Sequence, residues 1–313
     1  MKIVVTGGAG FIGANLCRTL LADDAVTEIV AFDDLSTGFA ENLDGIDAEL
    51  VEATILDPVA LDAAFAGAHS IVHLGARGSV PRSVADPWAS HQANASGTTQ
   101  VLEAARRAGD VHVVVASSSS VYGANTELPK RESMVARPVS PYAASKLATE
   151  SYTLAWQHTY GLPTLAFRFF NVFGPMQAVG HAYAAVVPAF VSAALEGRPL
   201  PVHGDGTQSR DFTYVGTVCE VLRTAAVDRV ASPEPVNLAF GSRTSLLEMI
   251  EVLEDIVGHP LEREHQGRRA GDVDHTQADN SRLRELFGGV EPVGLREGLE
   301  TTVAWYRESL DGA

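Results

Sequence analysis

At 313 residues, 46% of them hydrophobic and 20% charged, the chain has the length for one large domain or two moderate ones around an apolar core, and its composition excludes disorder. A formal net charge of −16 turns the field of the whole protein against polyanions, which excludes a nucleic-acid partner or an anionic membrane surface and leaves an anionic small ligand dependent on local arginines. There is no secretory pattern at the start and no apolar run of about 18 residues for a membrane span, so a cytoplasmic protein is expected. Cys17 and Cys219 make neither a disulfide framework nor a metal quartet, and no metal site is expected.

In chain order, short apolar runs alternate with helical patterns. K-I-V-V-T (2–6) precedes a helix from Phe11, T-E-I-V-A-F (27–32) precedes a loop, and D-A-E-L-V-E (47–52) precedes a helix at 57–65 that Asp57-Pro58 caps. S-I-V-H-L (70–74) leads to one long helix over 84–107, V-H-V-V-V-A (111–116) to a helix opening at Tyr142, and T-L-A-F-R-F (164–169) closes the series. Continuous apolar strands separated by helices predict a doubly wound α/β domain around a parallel sheet buried on both faces. Beyond 170 the rhythm loosens, with helices at 183–196 and 244–257, a late strand P-V-N-L-A (235–239), and capping-box spacings at Thr217/Glu220 and Ser245/Glu248. Two domains are expected, 1–170 and a smaller mixed α/β domain over 171–313, with a segment near 205–242 returning to the first.

T-G-G-A-G-F-I-G (6–13) follows the first strand and opens the first helix. Gly7, Gly10 and Gly13 permit a tight turn, close approach of a pyrophosphate and close helix packing, with Phe11 and Ile12 starting the helix that faces the anion. Asp33 stands twenty residues beyond Gly13 at the end of the second strand, where a carboxylate accepts from both ribose hydroxyls. Asp33 and Asp34 repel a 2′-phosphate, so NAD is predicted over NADP. At 116–123, A-S-S-S-S-V-Y-G ends a central strand and reads either as a polar loop or as a ligand site. In S-P-Y-A-A-S-K, Tyr142 and Lys146 are four apart and share one helix face; Lys146 is one of only three lysines. Taken alone, that pair is ordinary helix surface.

Together, the glycine loop, a serine at a strand end and Tyr-x-x-x-Lys resemble the extended short-chain dehydrogenase/reductase superfamily, over nearly the whole chain. The likeness sharpens to nucleotide-sugar 4-epimerases of the UDP-glucose 4-epimerase type through V-H-L-G-A (72–76), N-A-S-G-T (94–98), R-F-F-N-V-F-G-P (168–175), G-D-G-T-Q-S-R-D-F-T-Y-V (204–215) and R-A-G-D (269–272). It implies a Rossmann-like fold, bound NAD, a UDP-sugar substrate, and a homodimer through helices 84–107 and 142–160. Implied catalytic residues are Ser118, Tyr142 and Lys146. Thr54, Ile55, Leu74, Ala76, Asn94 and Ser117 join the glycine loop and Asp33 at the cofactor. Ser79, Ser119, Asn171, Val187, Val202, Arg210, Arg269, Asp272 and Thr276 join Ser118 and Tyr142 at the substrate. Without the motif, Arg210 and Arg269 read as solvated surface.

The resemblance implies a cycle in which C4 of the sugar is oxidised, the ketosugar turns over while its diphosphate stays anchored, and the hydride returns to the opposite face. Tyrosine, with a free pKa of about 10, needs roughly 4 kcal/mol of preference for the phenolate to act as base at neutral pH. Lys146 and the oxidised nicotinamide, each about 6 Å away at an effective dielectric of about 20, are expected to supply about 3 kcal/mol apiece. The related 4,6-dehydratases carry Asp-Glu where this chain has Ser119 and Ser120, the uronate decarboxylases carry a Glu there, and glucuronate epimerases commonly carry Thr at Asn171. Thr276, a small residue at the family's N-acetyl gate, implies that N-acetylated sugars enter. The family's adenine-contacting Asp is Thr54 here, and a typical Asp is Thr217, expected to cap its helix. A ketoreductase that consumes NADH and an NAD-sensing protein without chemistry are the rival readings.

Overall fold

The computed structural model describes residues 1–178, 185–267 and 274–311. The expected substrate residues Arg269 and Asp272, and the expected helix start at 183, lie outside them. Seven parallel strands form the central sheet in the order Val236–Leu238, Thr164–Phe169, His112–Ser118, Ser70–His73, Lys2–Thr6, Glu28–Asp33 and Glu49–Glu52. The chain winds outward from Lys2–Thr6 to Glu49–Glu52 and then crosses back to Ser70–His73. Strand order therefore reverses beside Lys2–Thr6, and a crevice opens outside the carboxyl ends of these strands.

The period of two assigns the two faces. Ile3, Val5, Ala31, Val72 and Val114 pack with helices Phe11–Leu21 and Val215–Val227. Val4, Val30, Phe32, Ile71, Val113 and Val115 pack with Pro58–Phe65 and Gly97–Arg107 on the other face. Covering both faces is why the strands read as unbroken apolar runs. A second core joins Phe190, Val191, Met249, Ile250, Leu253, Leu299 and Val303, from helices Val186–Leu195, Leu246–Val257 and Leu295–Asp311, with strand Leu200–His203.

Two local expectations are corrected. The helix expected over 84–107 is broken: Val80–Ala85 stops at Asp86, Pro87 begins a new helix whose first turn Asp86 caps through Ala89 N at 3.0 Å, and a π-turn occupies Gln92–Ser96 before Gly97–Arg107. Proline has no N–H to continue a helix but suits the first position of the next. Thr217 caps nothing, because its helix starts two residues earlier at Val215; its hydroxyl accepts instead from Val293 N at 3.0 Å. Asp57 caps as expected, and Ser245 and Glu248 form the reciprocal capping box. Replacing Ser245 by Ala is expected to lower stability by about 1 kcal/mol, read as a lower urea midpoint with unchanged slope.

Candidate active site

The glycine loop sits at the carboxyl end of Lys2–Thr6. Gly7 has φ +71, and a side chain there would meet the backbone of Leu74 and Gly75 at 2.8–2.9 Å. A Cβ on Gly13 would lie 2.0 Å from Gly7 O, so only glycine lets the helix start this close to the turn. Gly10 is the N-cap, no side chain caps the helix, and its first turn with Phe11 and Ile12 presents backbone N–H groups to the loop. Gly7 N donates to Phe32 O at 2.8 Å, binding the loop to the strand that ends in Asp33. The Asp33 carboxylate accepts from Ala9 N through Oδ2 at 3.0 Å and from Leu35 N through Oδ1 at 2.9 Å, which aims it at the loop and leaves each oxygen a lone pair. Burial raises its pKa, against the lowering effect of these two bonds. A phosphate cradle beside a ribose-binding carboxylate fits a dinucleotide.

Leu74, Gly75 and Ala76 continue this rim after Ser70–His73, and Ile55 lies against the place where a side chain on Gly97 would stand. Thr54 is exposed and its hydroxyl accepts from Leu56 N at 3.3 Å, closing a turn. Asn94 is buried in the π-turn: its Oδ1 accepts from Arg77 N at 2.7 Å and its Nδ2 donates to Ser145 Oγ at 2.8 Å and to Arg77 O at 3.3 Å. Its amide thus braces the rim against the helix that carries Tyr142. Beneath them His73 is fully enclosed between the hydroxyls of Thr6, 2.7 Å from Nδ1, and Thr98, 3.1 Å from Nε2. Burial, and secondarily the charge of Lys146, lowers its pKa to about 3, so it stays neutral.

Ser118 ends the strand His112–Ser118, and its Oγ accepts from Ser120 N at 3.1 Å, turning the hydroxyl proton outward. Tyr142 is the second residue of helix Pro141–Tyr160, which Ser140 caps and Pro141 opens; Tyr142 N donates to Ser83 Oγ at 3.0 Å. Burial raises the Tyr142 pKa above the ordinary value, and the neighbouring Ser118 hydroxyl opposes the rise. The sequence-based expectation that Lys146 lowers it is not met: the buried ammonium donates instead to Ala116 O at 2.8 Å, and its own pKa is brought down by burial to about 8. Ser117 faces Glu150, donating to Oε2 at 2.9 Å. Ser119 and Ser120 begin a short 3-10 turn, and Ser120 Oγ is buried without a partner. Ser79 caps helix Val80–Ala85 through Arg82 N at 3.2 Å.

A separate cavity of about 230 Å³ is lined by Asn171, Val187 and Arg210 together with Gln177, Phe190, His203 and Gln208. The Arg210 guanidinium is held by the carbonyls of Ser209 at 2.9 Å and Asp274 at 3.1 Å. Val202, expected at the substrate, is fully buried in the second core, and its strand neighbours Pro201 and His203 line the cavity in its place. Thr276 is behind this wall: its hydroxyl lies 3.5 Å from Asn171 Oδ1 and accepts from Asp211 N at 3.3 Å. Asp211 is fully buried, and burial raises its pKa to about 6 against hydrogen bonds from Ala278 N, Ser242 Oγ and Gly241 N. Ser118, Tyr142 and Lys146 do not line this cavity.

Sequence reading passed over Ser83, Glu150, Gln177, His203 and Gln208. Two of them carried a signal: Glu150 extends the four-residue spacing of Tyr142 and Lys146, and His203 alternates with the apolar Leu200 and Val202. Among the described residues, no group of three or more His, Cys, Asp or Glu could hold a metal ion, and no helix is long and apolar enough to cross a membrane.

Residues 3–239 match the model of the NAD dependent epimerase/dehydratase family. A UDP-glucose 4-epimerase of Mycolicibacterium smegmatis is 39% identical over 98% of this chain and 99% of its own. Among solved structures, a UDP-N-acetylglucosamine 4-epimerase from Methanobrevibacter ruminantium, in complex with UDP-N-acetylmuramic acid, is similar with a TM-score of 0.92 at 33% identity, covering 98% of each chain. A UDP-glucose 4-epimerase from Thermotoga maritima, with UDP-glucose, has a TM-score of 0.92 at 32% identity over 99% of this chain and 100% of its own. The family match spans most of the sequence, and the chain belongs to the NAD dependent epimerase/dehydratase family.

Proposed function

We propose that the protein is a UDP-sugar 4-epimerase that interconverts UDP-glucose and UDP-galactose, and also the N-acetylated pair. The observation that carries the reading is the placing of Tyr142, at the start of its helix, beside Ser118 at the carboxyl end of a central strand. The 39% identical UDP-glucose 4-epimerase supports the substrate class. A 4,6-dehydratase needs an acid and a base to eliminate water, and Ser119 and Ser120 offer hydroxyls, not carboxylates. Asn171, where glucuronate epimerases commonly carry Thr, supports a neutral sugar, and Thr276, small at the position of the family's N-acetyl gate, supports the N-acetylated pair.

Gly7, Gly10, Phe11, Ile12 and Asp33 hold the cofactor, with Leu74 and Ala76 on its flank. Bound NAD supplies a hydride acceptor that becomes the hydride donor on the return step. Tyr142 takes the proton of the sugar O4 as the C4 hydride leaves and gives it back after the ketosugar has turned. Ser120 N directs the Ser118 proton toward Tyr142 and the substrate oxygen, where it stabilises negative charge. Since burial keeps the phenol protonated in the protein alone, its ionisation requires the positive charge that arrives with the oxidised cofactor, with Lys146 supporting from its place on Ala116 O. Arg210 and Asn171 grip the diphosphate end, so the sugar turns on a fixed tether. The homodimer implied by the resemblance belongs to this proposal: Trp88, Tyr152 and Tyr160 remain exposed on the helices assigned to it, and sedimentation at equilibrium is expected to give twice the chain mass.

Purified protein incubated with UDP-galactose and a trace of NAD is expected to form UDP-glucose without net NADH. Formation of neither UDP-glucose nor the N-acetylated epimer rejects the reading, and stoichiometric consumption of NADH moves it to the ketoreductases. Tyr142→Phe is expected to lower kcat at least 100-fold, the lower end of the roughly 10²–10⁴-fold that a positioned acid–base group contributes.

Lys146 yields a prediction of opposite sign for stability. A buried ammonium whose pKa falls from 10.5 to about 8 costs on the order of 3 kcal/mol wherever the unfolded lysine is charged and the folded one must be. This cost is complete below pH 8 and is relieved as pH rises toward 10.5. Lys146→Met is therefore expected to lose turnover, yet to exceed the wild type in urea stability at pH 7, with the gap narrowing by pH 10.

A further inference from the structure

Three consecutive residues at the end of strand His112–Ser118 face three successive turns of helix Pro141–Tyr160. Ala116 O accepts from Lys146 Nζ at 2.8 Å, Ser117 Oγ donates to Glu150 Oε2 at 2.9 Å, and Ser118 lies beside the Tyr142 phenol. Two of these contacts involve groups already given a part in the chemistry. The third ends on Glu150, buried to 4% exposure and given no part so far in the proposed reaction.

Glu150 is itself clamped. Arg168, on the neighbouring strand Thr164–Phe169, donates to it from Nε at 2.9 Å and from Nη2 at 2.7 Å, a bidentate pair with both side chains 5% exposed. The guanidinium stacks over the Tyr122 ring at 4.8 Å and donates from Nη1 to Glu132 O at 3.3 Å. Tyr122 directs its hydroxyl to Asn237 Oδ1 at 2.6 Å, on the adjoining strand Val236–Leu238. A buried ion pair adds little stability over apolar side chains of the same volume, because desolvating two charges offsets their attraction. What a planar, bidentate pair does provide is direction and distance. Together with Lys146 on Ala116 O, the pair ties helix Pro141–Tyr160 to the sheet within the fraction of an ångström that separates a hydrogen bond from a gap.

We propose that Glu150 is a positioning residue: held by Arg168, it fixes the register between strand His112–Ser118 and helix Pro141–Tyr160 on which the placing of Tyr142 beside Ser118 depends. This rests on the reading of Tyr142 as the base, but it is testable without turnover. In the NAD-loaded protein, the phenolate absorbance difference between each variant and its Tyr142→Phe counterpart reports the ionisation of Tyr142 alone. Glu150→Gln loosens the clamp, and a wider gap to the Ser118 hydroxyl, whose influence lowers the phenol pKa, is expected to raise it by about one unit. At neutral pH, kcat falls about tenfold in consequence, while KM for UDP-galactose changes less than about twofold. A purely electrostatic role has the opposite sign, since an unpaired Arg168 cation lowers the phenol pKa. A purely structural role lowers the melting temperature and leaves the titration in place.

Should Glu150→Gln not fold, Arg168→Lys retains the positive charge without the planar fork and is expected to shift the titration in the same upward direction. An unchanged or lowered Tyr142 pKa in the folding variant overturns the proposal. So does failure of both variants to fold, since the pair then holds the fold and not the register. If wild-type Tyr142 titrates as expected and no UDP-sugar is epimerised, the functional reading fails, and the titration still decides the part played by Glu150.

Discussion

The working parts of this protein depend on polar groups buried between one strand and one helix. In a low-dielectric interior an unpaired polar group costs far more than a pairing earns in water, so the few available partners dictate where each side chain stands. Lys146 has the Ala116 carbonyl, Ser117 has Glu150, and Ser118 has Ser120 N with Tyr142 beside it. These pairings align strand His112–Ser118 with helix Pro141–Tyr160. Burial also sets their acidity. It pushes Tyr142 up and Lys146 down, leaving both closer to neutral, so that the charge needed for proton transfer has to enter with the ligand.

The same economy of partners explains how a chain of net charge −16 presents a phosphate cradle. No arginine or lysine takes part in the glycine loop. The attraction comes from backbone N–H groups at an uncapped helix start, a fixed local dipole that the diffuse negative field screens poorly at contact distance. Asp33 stands beside that cradle, and because its oxygens already accept from Ala9 and Leu35 it is anchored before any ribose arrives. A carboxylate there also disfavours a second phosphate, which agrees with membership of an NAD dependent family.

The sheet was legible because burial on both faces leaves a one-dimensional trace: Val4 and Val5 face different helices, and both are apolar. Local backbone chemistry was legible where one rule acted alone, as at Asp57-Pro58 and Ser245/Glu248. It misled where tertiary structure competed. Thr217 had the right spacing for a cap, but Tyr214 had already begun the helix and Val293 took the hydroxyl. Pro87 sat inside an apolar period that looked continuous. At the site, Tyr142, Lys146 and Ser118 stood out by spacing and rarity, whereas the partner of Lys146 is a main-chain carbonyl thirty residues away, which no side-chain pattern records. Val202 had the correct neighbourhood and the wrong face, a one-residue ambiguity intrinsic to strands.

The cavity around Asn171 and Arg210 is distinct from the Ser118–Tyr142 pair, and this separation suits the proposed chemistry. An epimerase has to present both faces of one carbon to a single hydride donor, so the reacting ring cannot be gripped as tightly as its leaving anchor. Binding energy gathered on the diphosphate end holds the intermediate without fixing the ring, and loose contacts near C4 lower the barrier to turning. Rigidity is then needed only in the base and the group that orients it, and there the buried register between strand His112–Ser118 and helix Pro141–Tyr160 provides it.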